Sequence, residues 1–482
     1  MPATPRRSSR RFMWLLPMAV ALVQAPAWAQ SDDPAVSTVL SFSGSRTLGG
    51  VVLGPGGDLY GASSITIGGQ AGGLVYKVEP DGGSVSSLYQ LGENDGVSPQ
   101  TGLVLGSDGI LYGTTHFGVT ATGGGPGTVF SIRPDGTDFT TLHEFVRGTE
   151  NNQDASPINT DGAFPDAALI EGSDGLLYGV TRGGGANGTG TVFKLARDGT
   201  GFATLHVFGE ITSDEDENIT ENADGAYPAG SLLESNGYFY GTANRGGAHG
   251  RGTVFRLRFD GSEFAVLHVF TNIVAPTGST VAVNEDGATP VTALLDGEDG
   301  LLYGVASVGG ANGVGTVFSM TPDGTVFTTL HDFTPKNGSQ PAATPILGAD
   351  GTLYGTTSAG GTNASNDTTT FGTIWSMARD GTGFTKVYSF DGAAGASPNS
   401  AMLQLSSSVF VGTTSAAGRC GEGTVFRLSL TGDEIEGQTS CGQGNNNNSS
   451  GGGVIDPTWL ALLGLLGWSS VTRRWRGNSE DR

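Results

Sequence analysis

The stretch DGLLYGVTRGGGANGTGTVFKLARDGTGFATLHVF, Asp174 to Phe208, decides the fold, because its outline returns along the chain. It contains three short apolar pieces, LLYGV, TVFKL and FATLHVF, rich in β-branched and aromatic residues. Such pieces read as strands. Asp174-Gly175 and Asp198-Gly199 precede the first and third of them. Asp-Gly pairs supply the positive φ that tight hairpins need.

The LYG element stands at 59–61, 111–113, 177–179, 302–304 and 353–355, with FYG at 239–241 and FVG at 410–412. GTVF follows at 127–130, 190–193, 252–255, 315–318 and 423–426, with GLVY at 73–76 and GTIW at 372–375. The third element reads FTTLHEF at 139–145 and recurs at 202–208, 264–270, 327–333 and 384–390, more weakly at 85–91. After the last GTVF it is missing, yet VSTVLSF opens the repeat region at 36–42. A further apolar stretch precedes each LYG, as in GLVLG at 102–106, and a proline opens most of these: Pro99, Pro165, Pro228, Pro290, Pro341 and Pro398. Each unit is therefore four antiparallel strands over roughly sixty residues, seven times.

Repetition at such a period signals a propeller or solenoid, and four-stranded units repeated seven times predict an all-β, seven-bladed β-propeller. The offset has a reason on this reading. The strand at 36–42 completes the last blade, whose other three strands lie in 398–430, so the ring closes without an open seam. A stacked solenoid has no use for that offset.

The repeats resemble the bacterial GloVer (Gloeo/Verruco) tandem-repeat family. The residues that carry the resemblance are Leu111-Tyr112-Gly113-Thr114-Thr115, Gly127-Thr128-Val129-Phe130, Asp135-Gly136-Thr137 and Phe139, and it extends over 36–430. It implies membership of a choice-of-anchor group, without an established activity.

Both ends read as sorting signals. Residues 1–29 carry Arg6, Arg7, Arg10 and Arg11, an apolar run from Phe12 to Val23, and Ala27-Trp28-Ala29, the pattern of a signal peptide cut after Ala29. That places the protein outside the cytoplasm through the export machinery, in the envelope or at the cell surface. At the other end a Gly/Asn/Ser-rich linker covers 431–453, an 18-residue apolar segment 454–471, and a basic tail 472–482. The segment is near the lower limit for a bilayer span, with its arginines cytoplasmic. Gly451, Gly452 and Gly453 with that segment and tail resemble a GlyGly-CTERM signal. The resemblance implies cutting near Gly452 and Gly453 by a rhombosortase-type membrane protease, with release as one outcome. Asp456 and Pro457 depart from the pattern and leave another sorting class or a plain anchor open.

Without both ends, which remove four arginines each and three carboxylates in all, the net charge moves from −22 to about −27. Nucleic acid is a poor partner for that surface; cations, basic surfaces and neutral glycans stay open, and solubility outside the cell is the preferred reading of the charge. Cys420 and Cys441 are the two cysteines, and in an oxidising compartment they read as one disulfide, worth roughly 3 kcal/mol in the chain-entropy model.

Candidate chemistry is sparse. His143, His206, His268 and His331 share one repeat column, filled elsewhere by Tyr89, Tyr388 and Leu40. A catalytic group is not needed four times, so packing or hydrogen bonding is expected. Simple alternation places Phe139, Thr141, His143 and Phe145 on one sheet face. His116 and His249 lie in glycine-rich loops without a partner visible in the sequence. The loop RGGGANGTG at 182–190 leads into a strand and lacks the lysine and helix of a phosphate loop. Insertions at 146–164, 209–227 and 271–289 follow the fourth strand and are expected on one face. The second carries Asp214, Asp216 and Asn218, candidate oxygen ligands for calcium; Ile219 stands where an EF-hand needs glycine, so a solvated acidic loop is the preferred reading. No cofactor is expected. The functional expectation is an envelope binding or scaffold module for a glycan, surface protein or matrix component. The alternative is a secreted glycan hydrolase or lyase using acidic residues on one face.

Overall fold

The structure is a computed structural model; it describes residues 33–42, 45–46, 49–67, 70–82, 84–119, 125–150, 157–213, 220–361 and 371–432. Seven antiparallel sheets follow one another around a ring as a seven-bladed β-propeller. Blade 2 shows the plan: Val104–Leu105, Leu111–Thr115, Thr128–Ile132 and Thr140–Glu144 pair in chain order. The second and third strands are the LYG and GTVF elements, and both are buried along their whole length in this blade.

The first strand is short, two residues in most blades. In blades 1, 4 and 7 it is split into two pieces that both pair with the second strand, as Ala226–Pro228 and Leu233–Ser235 do with Tyr238–Arg245. The interruption falls where the chain lines the ring's centre.

Three repeated contacts explain the motif. The tyrosine of LYG donates to the aspartate of the preceding Asp-Gly turn, as from Tyr112 Oη to Asp108 Oδ2 (2.8 Å) and Tyr178 Oη to Asp174 Oδ2 (2.7 Å). Burial and then these hydrogen bonds push both phenols up. The glycine leaves room for the aromatic ring of GTVF across the pair: a Cβ on Gly304 would stand 2.4 Å from Phe318 Cζ. The threonines after the glycine form buried pairs with the third strand, such as Thr115 with Thr128 (2.7 Å) and Thr181 with Thr191 (2.8 Å).

The core lies between blades. Seven apolar clusters occur among the described residues, one at each blade junction. Tyr178, Val180 and Val192 of blade 3, for example, meet Phe239, Phe255 and Leu257 of blade 4.

The ring closes as the offset predicts. Ala35–Ser41 pairs with Thr424–Ser429, from Ala35 opposite Ser429 to Ser41 opposite Thr424. Phe42 N donates to Gly423 O (3.0 Å). The junction of blades 7 and 1 buries Val39, Leu40 and Phe42 with Leu59, Tyr76 and Val78.

One expectation is corrected. Phe139 and His143 point to opposite faces of their blade. Phe139 stacks on Tyr89 of blade 1 (4.3 Å), whereas His143 stacks on Phe202 of blade 3 (3.8 Å). The cause is a β-bulge between Thr141 and His143; one extra residue resets the alternation. The same shift recurs in the other fourth strands, including Ala35–Ser41.

Among the described residues no helix is long and apolar enough to cross a membrane. Segment 454–471 lies outside them.

Candidate functional site

Strand direction assigns every loop to a face. First-to-second and third-to-fourth strand hairpins, such as 106–110 and 133–137, turn on one face. The second-to-third loops and the fourth-to-first connections, which include all three insertions, lie on the other. Function on such folds sits in loops carried by a rigid scaffold, so the second face is the candidate. Among the described residues it bears five of the seven exposed large hydrophobic ones: Phe117, Val146, Ile158, Val274 and Val281.

At the ring's centre all seven blades contribute to a cavity of about 300 Å³. One set of equivalent positions in its lining is Gly49, Thr101, Ala167, Gly230, Thr292, Ala343 and Ser400, all small and buried. Close approach enforces this: a Cβ on Gly230 would lie 2.2 Å from the carbonyl carbon of Thr292 in the next blade. Hydrogen bonds sew the blades together here, such as Thr114 Oγ1 to Pro165 O (2.9 Å) and Thr413 Oγ1 to Gly49 O (3.0 Å). One position earlier in the chain the lining loses its uniformity. Gln100, Asp166 and Asn399 are polar, and Ala229, Val291 and Ala342 are apolar. Among the described residues Asp166 is the one charged residue lining the cavity.

The histidine column is structural. His143, His206 and His268 each bring Nε2 to 3.0 Å from Asp161, Asp224 and Asp286. Each ring stacks on a phenylalanine of the next blade, Phe202, Phe264 or Phe327. The aspartate also accepts from backbone at the neck of the insertion, as Asp161 does from Val146 N (3.1 Å). Two residues earlier Asn159 donates to Val146 O (2.8 Å) and accepts from Gly185 N (2.8 Å). Asn222 and Asn284 repeat this clamp. Although burial pushes the Asp286 carboxyl up, bonds from His268 and Thr271 hold it below its ordinary range. His331 meets Asn337 instead (3.2 Å), and burial lowers its pKa.

His116 departs from this pattern. Its Nδ1, not Nε2, meets a carboxylate, Asp166 Oδ1 at 2.5 Å. Its ring stacks on Phe164 (4.8 Å, 20°) and meets the edge of Phe117 (4.4 Å). Nε2 has no protein partner among the described residues. The side chains of His116 and Asp166 are 15% and 18% exposed, and Phe117 is 44% exposed. Phe164 and Tyr227 precede prolines and hold φ of +58° and +55°, which costs about 1–3 kcal/mol each for a non-glycine residue. The surroundings over-determine that conformation at Phe164. Its N–H donates to Pro126 O (2.6 Å), and its carbonyl accepts from Arg182 N and Asp166 N (2.9 Å each).

Aligned with the other blades, His116 stands where serine occurs at 64, 307, 358 and 415. There Ser307, Ser358 and Ser415 donate to a rim carbonyl of their own first strand. Sequence reading noticed His116 but missed Asp166, fifty residues on and in the next blade. The available signal was that both residues break their repeat columns.

The other candidates are soon placed. His249 is exposed in a loop of blade 4. Loop 182–190 leads into Thr191–Leu195, as expected of a loop that is not a phosphate cradle. Cys420 is disulfide-bonded; Cys441 lies outside the described residues. So do Asp214, Asp216, Asn218, Ala29, Gly452 and Gly453. Among the described residues no group of three or more His, Cys, Asp or Glu is placed to hold a metal ion.

The model of the Gloeobacter/Verrucomicrobia repeat matches residues 50–284 and 276–464. No curated protein matches the sequence. Similar solved structures include an oligogalacturonate lyase from Vibrio parahaemolyticus (9% identity, TM-score 0.49, covering 82% of this chain and 93% of that one). A polysaccharide lyase of the PL25 ulvan lyase family follows (12%, 0.48, 81% and 94%). The GH74 enzyme of Niastella koreensis gives 15% and 0.47; 81% of this chain matches, spanning about half, 53%, of that chain.

Proposed function

We propose, from the premise that this chain belongs to the Gloeobacter/Verrucomicrobia repeat family, that it is an exported propeller serving as a binding module at the cell envelope. Its ligand is a glycan, taken on the face where the second-to-third loops and the insertions meet. The observation that carries this reading is the break in sevenfold symmetry on that face. At the His116 position four other blades carry serine, whereas blades 2 and 3 place His116, Phe117 and Phe164 together with Asp166, which lines the central cavity. A scaffold alone has no need to break its repeat there. The signal-peptide pattern ending at Ala29 supports export. The 454–471 segment supports attachment before processing near Gly452 and Gly453 by a rhombosortase-type protease. The acidic net charge supports solubility outside the cell.

The hydrolase reading needs two carboxylates roughly 5–10 Å apart. Among the described residues Asp166 is the one carboxylate lining the cavity, which favours the binding reading. The test is a glycan array probed with the purified protein, with product release followed on every glycan bound. Binding without turnover is expected. Failure to bind any glycan, with capture of a surface protein instead, would overturn the glycan reading; turnover would replace it with the enzyme.

A further inference from the structure

We propose that His116, Phe117 and Asp166 form a subsite for one sugar ring of a neutral or amino-sugar glycan, and that this subsite excludes uronic acids. This rests on the glycan-binding reading above and assigns its chemistry to residues.

The first argument is the orientation of His116. The three column histidines bonded to aspartate spend Nε2 on that bond. His116 is turned the other way: Asp166 takes Nδ1, Phe164 fixes the ring plane, and Nε2 is left without a protein partner among the described residues. A histidine held by a carboxylate on one nitrogen presents the other in a fixed direction. With Nδ1–H donated to the Asp166 carboxylate, Nε2 of the neutral ring is an acceptor, and a hydroxyl donor satisfies it.

The second is Phe117. An aromatic ring at 44% exposure, gripped edge-on by His116, is poor core material. It offers a flat apolar face beside the polar dyad. A pyranose presents that combination in reverse, with C–H groups on one face and hydroxyls around the rim. The pairing matches how small-molecule sites use a few placed polar groups within apolar walls.

The third is size and charge. Of the three residues Asp166 alone lines the central cavity of about 300 Å³, a volume at the lower end of the range for small-molecule sites, about 300–1,000 Å³. Asp166 is its one charged lining residue among the described residues. A carboxylate in that lining repels a uronate and favours a neutral or ammonium-bearing sugar. Gln100 and Asn399, on the same ring of positions, add amide donors and acceptors.

The experiment is a calorimetric titration of the full protein with cello-, manno- and chito-oligosaccharides, glucosamine oligomers and oligogalacturonides. At least one neutral or amino-sugar series is expected to bind and oligogalacturonides are not. Phe117→Ala and His116→Ala are each expected to weaken binding about tenfold, the loss of one well-made contact. Val326→Ala, exposed on the opposite face, leaves affinity unchanged. Phe117→Ala replaces an exposed side chain, so its thermal melt should match the parent and separate lost binding from lost fold. Binding indifferent to both substitutions overturns the subsite and leaves the glycan module standing. Equal or tighter binding of oligogalacturonides overturns the exclusion. No binding in any series overturns both.

Discussion

Replacing Phe42 by alanine tests ring closure directly. Phe42 follows the strand that the amino-terminal end lends to blade 7. It is 6% exposed and meets Tyr76 of blade 1 edge-on at 5.3 Å. Truncating a buried phenylalanine costs about 3–5 kcal/mol when the site cannot collapse, and roughly 0.5–1.5 kcal/mol of that is the aromatic pair. Phe333 holds the same repeat position in blade 5, 0% exposed and edge-on to Trp375 at 5.9 Å. Both substitutions should therefore cost about the same. Urea unfolding followed by circular dichroism and by tyrosine and tryptophan fluorescence reads the difference; coincident transitions license the two-state treatment. If Phe333→Ala loses several kcal/mol and Phe42→Ala less than about 1 kcal/mol, the amino-terminal strand is an ornament and the ring is held by other means.

Gly304→Ala forces a methyl group against Phe318 and Leu294, with a Cβ only 2.4 and 2.7 Å from their nearest atoms, and should cost about 1–3 kcal/mol by overpacking, measured as a lower urea midpoint with unchanged slope. The second outcome concerns pH. Burial depresses the pKa of His331 below 6.5, so its neutral form contributes stability that is complete above 6.5 and falls as pH drops toward the folded value; His331→Tyr, the residue the column uses at 388, should flatten the decline in melting temperature between pH 7 and pH 5. Asp286, held below 3.8, loses its contribution only at lower pH, so Asp286→Asn should leave that window's slope alone while weakening the fold above it.

Strand order, blade number and the amino-terminal closure were legible because each rests on local chemistry repeated seven times. Asp-Gly turns, a glycine facing an aromatic ring and β-branched runs all act within a few residues. The bulge at Thr141–His143 was not legible, because an extra residue in a strand leaves the apolar pattern nearly intact and shows only in pairing. It moved Phe139 and His143 to different blade junctions. The bond between His116 and Asp166 was invisible for another reason. Neither residue is unusual alone, and their meeting depends on the start of one blade's first strand lying against the loop of the blade before it. The column histidines, in contrast, were read as packing groups, and their stacking on Phe202, Phe264, Phe327 and Phe384 accords with that.

Sealing the ring with its own first strand also sets an order of events during folding. The Cys420 N–H reaches Ser41 Oγ across a separation of 379 residues, whereas the hairpins within a blade close over roughly a dozen. By the logarithmic dependence of loop entropy on length, the long closure costs about 3 kcal/mol more than the short one before any contact rewards it. Blades can therefore condense one after another as they emerge, but the final seam waits for Thr424–Ser429 to exist. Until that moment Val39, Leu40 and Phe42 have only the blade 1 side of their junction to pack against, and the backbone of Ala35–Ser41 waits as an unpaired ribbon that only the completion of the chain removes.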